Sequence, residues 1–196
     1  MNTPKNISST GRLLLASASP RREELLGVLV RSFDVRPANI DERQVSGESP
    51  ATYARRLAEE KAHAAARMAP ARWVIGADTV VVLDESCLGK PQDARQAHRM
   101  LRGVSGRTHQ VYSAVSLSGP GHWDTALCVT EVSFDPLPDP WILNYVESGE
   151  PMDKAGAYAI QGGAAAWIRR MDGSYSGVVG LPLFETANLL RVAGLL

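Results

Sequence analysis

The chain has 196 residues, with 21 Lys and Arg against 21 Asp and Glu, so its formal net charge is zero. A free-standing nucleic-acid binder usually carries basic excess to displace counterions from phosphates, so no nucleic-acid partner is expected. Hydrophobic residues at 44% and charged residues at 21% exclude general disorder, and no run approaches the roughly 18 apolar residues of a membrane span.

Met1 to Gly11 is polar and lacks the apolar stretch of a secretory signal. It reads as a loose tail on a cytoplasmic, soluble protein. Residues 12–196 contain no linker long enough to separate independent units and read as one domain. The two cysteines, Cys87 and Cys128, are 41 positions apart without metal-ligand or redox spacing, and read as buried or incidental thiols.

Leu13-Leu14-Leu15-Ala16 fits a short buried strand. Ser19 then suits an N-cap, Pro20 the first helical position, and Gly27 a helix end. Ser49-Pro50 opens a second helix by the same signals, with Tyr53, Ala54, Leu57, Ala58, Lys61, Ala62 and Ala65 at helical spacing to about Met68. Trp73 to Leu83 is apolar on both faces and predicts a central strand. Asp93 to Leu101 predicts a helix closed by Gly103. His109 to Leu117 and Thr125 to Phe134 predict two strands joined at Gly119-Pro120-Gly121. Asp139 to about Glu147 reads as a helix, Ala164 to Met171 as a strand, and Leu183 to Val192 as a closing helix. Together these predict a mixed α/β fold around one elongated sheet.

Several segments carry candidate chemistry. In Ser17-Ala-Ser-Pro-Arg-Arg22, two hydroxyls, two arginines and a helix start could cradle phosphate. Alternatively Glu23 and Glu24 neutralise the arginines on a solvated surface. Asp78 lies inside the central strand, where a carboxylate is costly unless paired, hydrogen-bonded or metal-bound; the competing reading is a bend at Gly76 with Asp78 capped at a strand end. Lys61, Lys90 and Lys154 are, with Lys5, the only lysines. Each is a candidate partner for charge in the site, although lone lysines are usually solvated. Asp41-Glu42 would suit Mg²⁺, which takes one or two carboxylates plus substrate phosphates, or be a plain polar loop. Gln161-Gly162-Gly163 could bring backbone to a ligand with Gln161 facing a base edge, or form a simple turn. The four histidines show no ligand spacing.

Taken together, Leu15-Ala-Ser-Ala-Ser-Pro-Arg-Arg22, Glu60-Lys-Ala62, Ile75-Gly-Ala-Asp-Thr-Val80, Gly89-Lys-Pro91, Ser105-Gly-Arg-Thr-His109, Asp153 to Gly162, Gly173-Ser-Tyr175 and Val179-Gly-Leu-Pro182 resemble the Maf family of nucleoside triphosphate pyrophosphatases. The resemblance runs from about residue 12 to 192. It implies an elongated bent mixed sheet with a cleft between two lobes, like that of inosine triphosphate pyrophosphatases, in a homodimer. It implies hydrolysis between the α and β phosphates with a divalent cation, Mg²⁺ or Mn²⁺, as cofactor. It puts the base on Asp78, specificity-setting positions on Arg21, Thr79 and Gln161, and metal and phosphate contacts on Glu42, Lys61 and Lys90. Asp-Lys-Ala-Gly with Ile-Gln-Gly, bearing Lys154 and Gln161, resembles the branch acting on dTTP and UTP. Ala18 stands where many relatives have Gly.

The expected mechanism lays the triphosphate along Ser17 to Arg22, including Ser19, with Lys61 and Lys90 neutralising its oxygens. Glu42 and Asp78 would hold the cation, with Asp78 positioning or deprotonating water. One rival is a non-catalytic nucleotide or nucleic-acid-binding module. Another is a serine hydrolase using Ser17 or Ser19, which lacks both a Gly-x-Ser-x-Gly elbow and an evident histidine partner. In the proposed site Arg21, Arg22, Lys61, Lys90 and Lys154 stand against Glu42 and Asp78, a local surplus of three positive charges within a neutral chain.

Overall fold

The computed structural model describes residues 13–196; the tail read over residues 1–11 lies outside the described residues. Seven strands form one mixed sheet: β1 (Leu13–Leu15), β2 (Asp34–Val35), β3 (Trp73–Leu83), β4 (Ser86–Leu88), β5 (Thr108–Gly119), β6 (His122–Phe134) and β7 (Ile168–Asp172). Their order is β2-β1-β3-β5-β6-β7, with β4 paired to β3. β1 runs parallel to β2 and β3, and the other pairings are antiparallel. The mixed α/β sheet flanked by helices is as expected.

Helix α1 (Pro20–Leu29) starts at the Ser19 cap, whose side chain accepts from the Arg22 amide. It runs through Gly27, which faces solvent, so the glycine costs about 1 kcal/mol of propensity without ending the helix. Helix α2 (Pro50–Met68) is capped by Ser49 and buries Ala54, Leu57, Ala58, Lys61, Ala62 and Ala65. Helix α3 (Ala94–Val104) likewise continues through Gly103. It stops where Ser105 leaves helical geometry and its Oγ accepts from the Leu137 amide at 2.7 Å. Helices α4 (Asp139–Glu147) and α6 (Leu183–Val192) match their predicted spans.

The short strands β2 and β4 have no counterpart among the expected elements, and two further elements differ from expectation. The strand expected from Ala164 begins only at Ile168, because Gly163–Trp167 coils as a 3₁₀ segment before entering the sheet. The short helix α5 (Tyr175–Val179) has five residues, too few for a helical period to show, and is started by Ser174, whose side chain accepts from the Gly177 amide.

The alternation of β3 assigns its two faces. Gly76, Val80 and Val82 meet α2: Val80 and Val82 pack with Ala54 and Ala58. A Cβ on Gly76 would stand 2.2 Å from the Ala58 carbonyl oxygen and 2.5 Å from the Ala62 amide, so only glycine allows α2 this close. Ile75 and Ala77 face the other way and pack with Leu26 of α1 and Leu189 and Leu190 of α6. Among the described residues no helix is long and apolar enough to cross a membrane.

Candidate active site

One edge of β3 is only partly paired. β5 covers its opposite edge from Val74 to Val82, whereas β1 pairs with Trp73 to Ile75 and β4 with Val81 to Leu83. Between them, Gly76 to Val80 lack a strand partner on that side. A cavity of about 590 Å³ opens at this gap, and Asp78 and Thr79, which point to opposite faces of β3, both line it. Ser17, Ser19, Arg21, Arg22, Glu42, Lys61, Asp78, Thr79, Lys90, Lys154 and Gln161 all line this one cavity, whereas Asp41, a cation candidate beside Glu42, does not and pairs with Arg43 instead.

On the α2 side, the close helix–strand approach at Gly76 carries Lys61 to Asp78. Lys61 Nζ donates to Asp78 Oδ1 at 2.7 Å and lies 2.8 Å from Glu42 Oε1. Lys61 and Asp78 are each 7% exposed, so Asp78 is a buried, paired carboxylate rather than a strand-end cap. Glu42 is half-exposed and comes from the loop before α2, where Tyr53 Oη donates to its carbonyl at 2.6 Å. Burial pushes the Glu42 carboxyl up, but the Lys61 hydrogen bond and the charges of Lys61, Lys90 and Arg22 outweigh it, holding the group below its ordinary range.

On the other face, Arg22 turns into the protein. Its Nε donates to the Gly180 carbonyl at 2.8 Å, Nη1 to Ser17 Oγ at 3.4 Å and Nη2 to Thr79 Oγ1 at 3.5 Å. Burial lowers its pKa, partly offset by Asp78 and Glu42 and reinforced by Arg21. Ser17 Oγ also accepts from the Ser19 amide at 3.1 Å. Thr79 in turn accepts from Ser113 Oγ at 3.3 Å. These contacts fasten the start of α1 to β3, β5 and the end of α5.

Arg21 is partnered by Asp153, 3.8 Å away, and Glu23 and Glu24 make no ion pair with either arginine. Asp153 also pairs with Lys154, whose Nζ donates to the Glu150 carbonyl at 3.2 Å. Lys90 is exposed on the rim beside Gly89, whose carbonyl accepts from the Gly156 amide at 3.1 Å. Gln161 is exposed in the cavity on the segment after Tyr158. Asp153 is an acid the sequence reading missed, although it directly precedes Lys154. Counting it, five cations face three acids, so the local surplus is two rather than three. Gly180, as acceptor for Arg22, and Ser113 were also missed: a backbone carbonyl and a strand serine give no sequence signal.

The donor set fits a hard cation in one respect. Two carboxylates from separate elements converge on one point, now held by Lys61, which matches a Mg²⁺-type site completed by substrate phosphates and water. Among the described residues no group of three or more His, Cys, Asp or Glu could cage a metal without substrate.

The site is thus a mixed α/β sheet opened at one strand, with a buried and a half-exposed acid sharing one lysine inside a cavity of surplus positive charge. Residues 12–193 match the family model described as Maf-like protein, and the chain belongs to that family. It is 50% identical over 188 residues to a dTTP/UTP pyrophosphatase of Geobacter metallireducens, covering 94% of this chain and 97% of the relative. It is 53% identical over 187 residues to a dTTP/UTP pyrophosphatase of Anaeromyxobacter dehalogenans, covering 93% and 94%. Among solved structures, the Staphylococcus aureus Ham1 protein aligns over 92% of this chain and 96% of its own, at 16% identity and a TM-score of 0.46.

Proposed function

We propose that the protein hydrolyses dTTP and UTP to the nucleoside monophosphate and pyrophosphate, with a divalent cation as cofactor. The observation that carries this reading is the Glu42–Lys61–Asp78 arrangement at the base of a cavity with surplus positive charge. Carboxylates alone would repel a triphosphate; paired with lysine and ringed by Arg21, Lys90 and Lys154 they sit where one can dock. The names of the relatives support the choice of nucleotides.

In this reading Asp78 aligns the attacking water and accepts its proton. The water oxygen bonds to Pα, the bond from Pα to the bridging oxygen breaks, and pyrophosphate leaves with the electron pair. Phosphoryl transfer depends mainly on alignment and charge stabilisation, which lysines and arginines provide without covalent chemistry. Ser17, Ser19 and Arg22 order the phosphate end, and Lys61, Lys90 and Lys154 neutralise oxygens. Arg21, Thr79 and Gln161 discriminate the base. Glu42 and Asp78 would hold Mg²⁺ or Mn²⁺, which when bound supplies Lewis-acid stabilisation of the phosphate oxygens.

Pyrophosphate release measured across a nucleotide panel with Mg²⁺ tests the reading. Turnover of dTTP and UTP ahead of the purine nucleotides is expected, with kcat falling about 10³-fold in Asp78→Asn. No turnover of either pyrimidine nucleotide, or a full rate in the variant, overturns it.

A further inference from the structure

The backbone carrying Gln161 is fixed at two points, each two residues away. On one side the Ala159 amide donates to Tyr145 Oη at 3.2 Å. On the other the Gly163 amide donates to Glu150 Oε1 at 3.2 Å and Oε2 at 3.3 Å. Tyr145 Oη donates to Glu150 Oε1 at 2.7 Å, which joins the two anchors into one unit. Between them the Gly162 amide closes a turn onto the Ala159 carbonyl at 3.1 Å. The fit is close: a Cβ on Gly162 would lie 1.8 Å from Glu150 Oε1.

Neither Tyr145 nor Glu150 lines the cavity. Tyr145 is 6% exposed on α4, its ring stacked on Trp141 at 4.7 Å between centroids. Burial and the Glu150 carboxylate both raise its phenol, keeping the hydroxyl protonated and able to donate. The same Glu150 offers its carbonyl to Lys154 Nζ. A charged acceptor taking one backbone amide and a phenol is a stronger fastening than neutral bonds, and its carboxylate lies outside the cavity, against the loop.

We infer that Tyr145 and Glu150 are positioning residues that clip the Ala159–Gly163 turn and so set the place of Gln161 for base discrimination. This rests on the proposed role of Gln161 in reading the base. The clip does not touch phosphate or water, so its loss acts on nucleotide selectivity and leaves the chemistry at Asp78 in place.

Tyr145→Phe keeps the stacked ring and removes the hydroxyl; Glu150→Gln keeps the volume and removes the charge. Amide exchange at Ala159 and Gly163 in the free protein is expected to rise about tenfold in Tyr145→Phe, the effect of one lost hydrogen bond. In both variants preference for dTTP over dATP should fall about tenfold through KM, with kcat within threefold and inhibition by inorganic tripolyphosphate, which has no base, unchanged. In a Gln161→Ala background, Tyr145→Phe should add no further loss of selectivity. Unchanged exchange, retained selectivity, additive losses, or kcat falling alike for every nucleotide each overturn the inference. Where Glu150→Gln does not fold, Tyr145→Phe carries the test alone. A wild-type protein inactive on every nucleotide would sink the proposed function, while the exchange measurement would still decide the clip.

Discussion

The ammonium of Lys61 lies 2.7 Å from Asp78 and 2.8 Å from Glu42, so a single buried cation holds together two carboxylates from different elements. An ammonium on the apolar face of α2 would be costly alone. Here the partners arrive from β3 and from the loop before α2. The three groups form a unit whose stability and chemistry are coupled.

Removing the cation leaves Asp78 uncompensated at 7% exposure. Lys61→Met is therefore expected to lower unfolding free energy by about 3 kcal/mol in urea titration. Millimolar Mg²⁺ should restore part of that loss, because a divalent cation can replace the missing charge and binds only the folded form. The wild type should gain less, since Lys61 occupies the same point. A variant as stable as the wild type, or one indifferent to Mg²⁺, would show that the carboxylates do not depend on a shared cation.

Gly76→Ala tests how the pair is brought together. Its new methyl meets backbone atoms of α2 at 2.2 and 2.5 Å, so the helix must shift, because no flexible side chain can yield. A loss of about 3 kcal/mol is expected. Turnover should fall with it, since Lys61 rides on the displaced helix. Unchanged melting temperature and rate would mean that α2 does not need its close seat on β3.

Much of the framework was legible because its signals are local. Ser19-Pro20 and Ser49-Pro50 announce two helix starts, and the apolar run around Asp78 announces a central strand with one anomalous charge. What remained hidden depends on groups far apart in the chain. Asp78 meets a lysine 17 residues earlier, and Arg22 meets a carbonyl 158 residues away. The opening at Gly76 to Val80 arises because β1 ends and β4 begins at different points along β3, which no single segment records. Gly27 and Gly103 misled in the other direction: tertiary burial of Leu26 and Leu101 carries each helix past its glycine.

Arg22→Lys separates charge from geometry. The arginine fork reaches Gly180, Ser17 and Thr79 together, and an ammonium can satisfy only part of this set. KM for dTTP is expected to rise about tenfold, with kcat changing less, because the start of α1 loses its anchor while the charge is kept. An unchanged KM would show that positive charge alone is what this position supplies.

The last expectation concerns pH. His109 is 2% exposed, its Nε2 is 2.7 Å from Tyr158 Oη, and its Nδ1 has no hydrogen-bond partner among the described residues. Burial lowers the imidazole from 6.5 to about 4. The unfolded chain therefore takes up the proton first, and between these values it binds more protons than the folded form. The stability due to neutral His109 is present above about pH 6.5 and is lost as pH falls toward 4. Over the range from pH 7 to 5 this amounts to about 2 kcal/mol. Glu42, held below its ordinary range, contributes with the same sign but only at lower pH, so this window isolates the histidine. Urea unfolding of wild type and His109→Gln at both pH values should show the wild type losing about 2 kcal/mol more than the variant. Equal losses would mean that His109 can be protonated in place, with Tyr158 and the space around Nδ1 able to receive the charge.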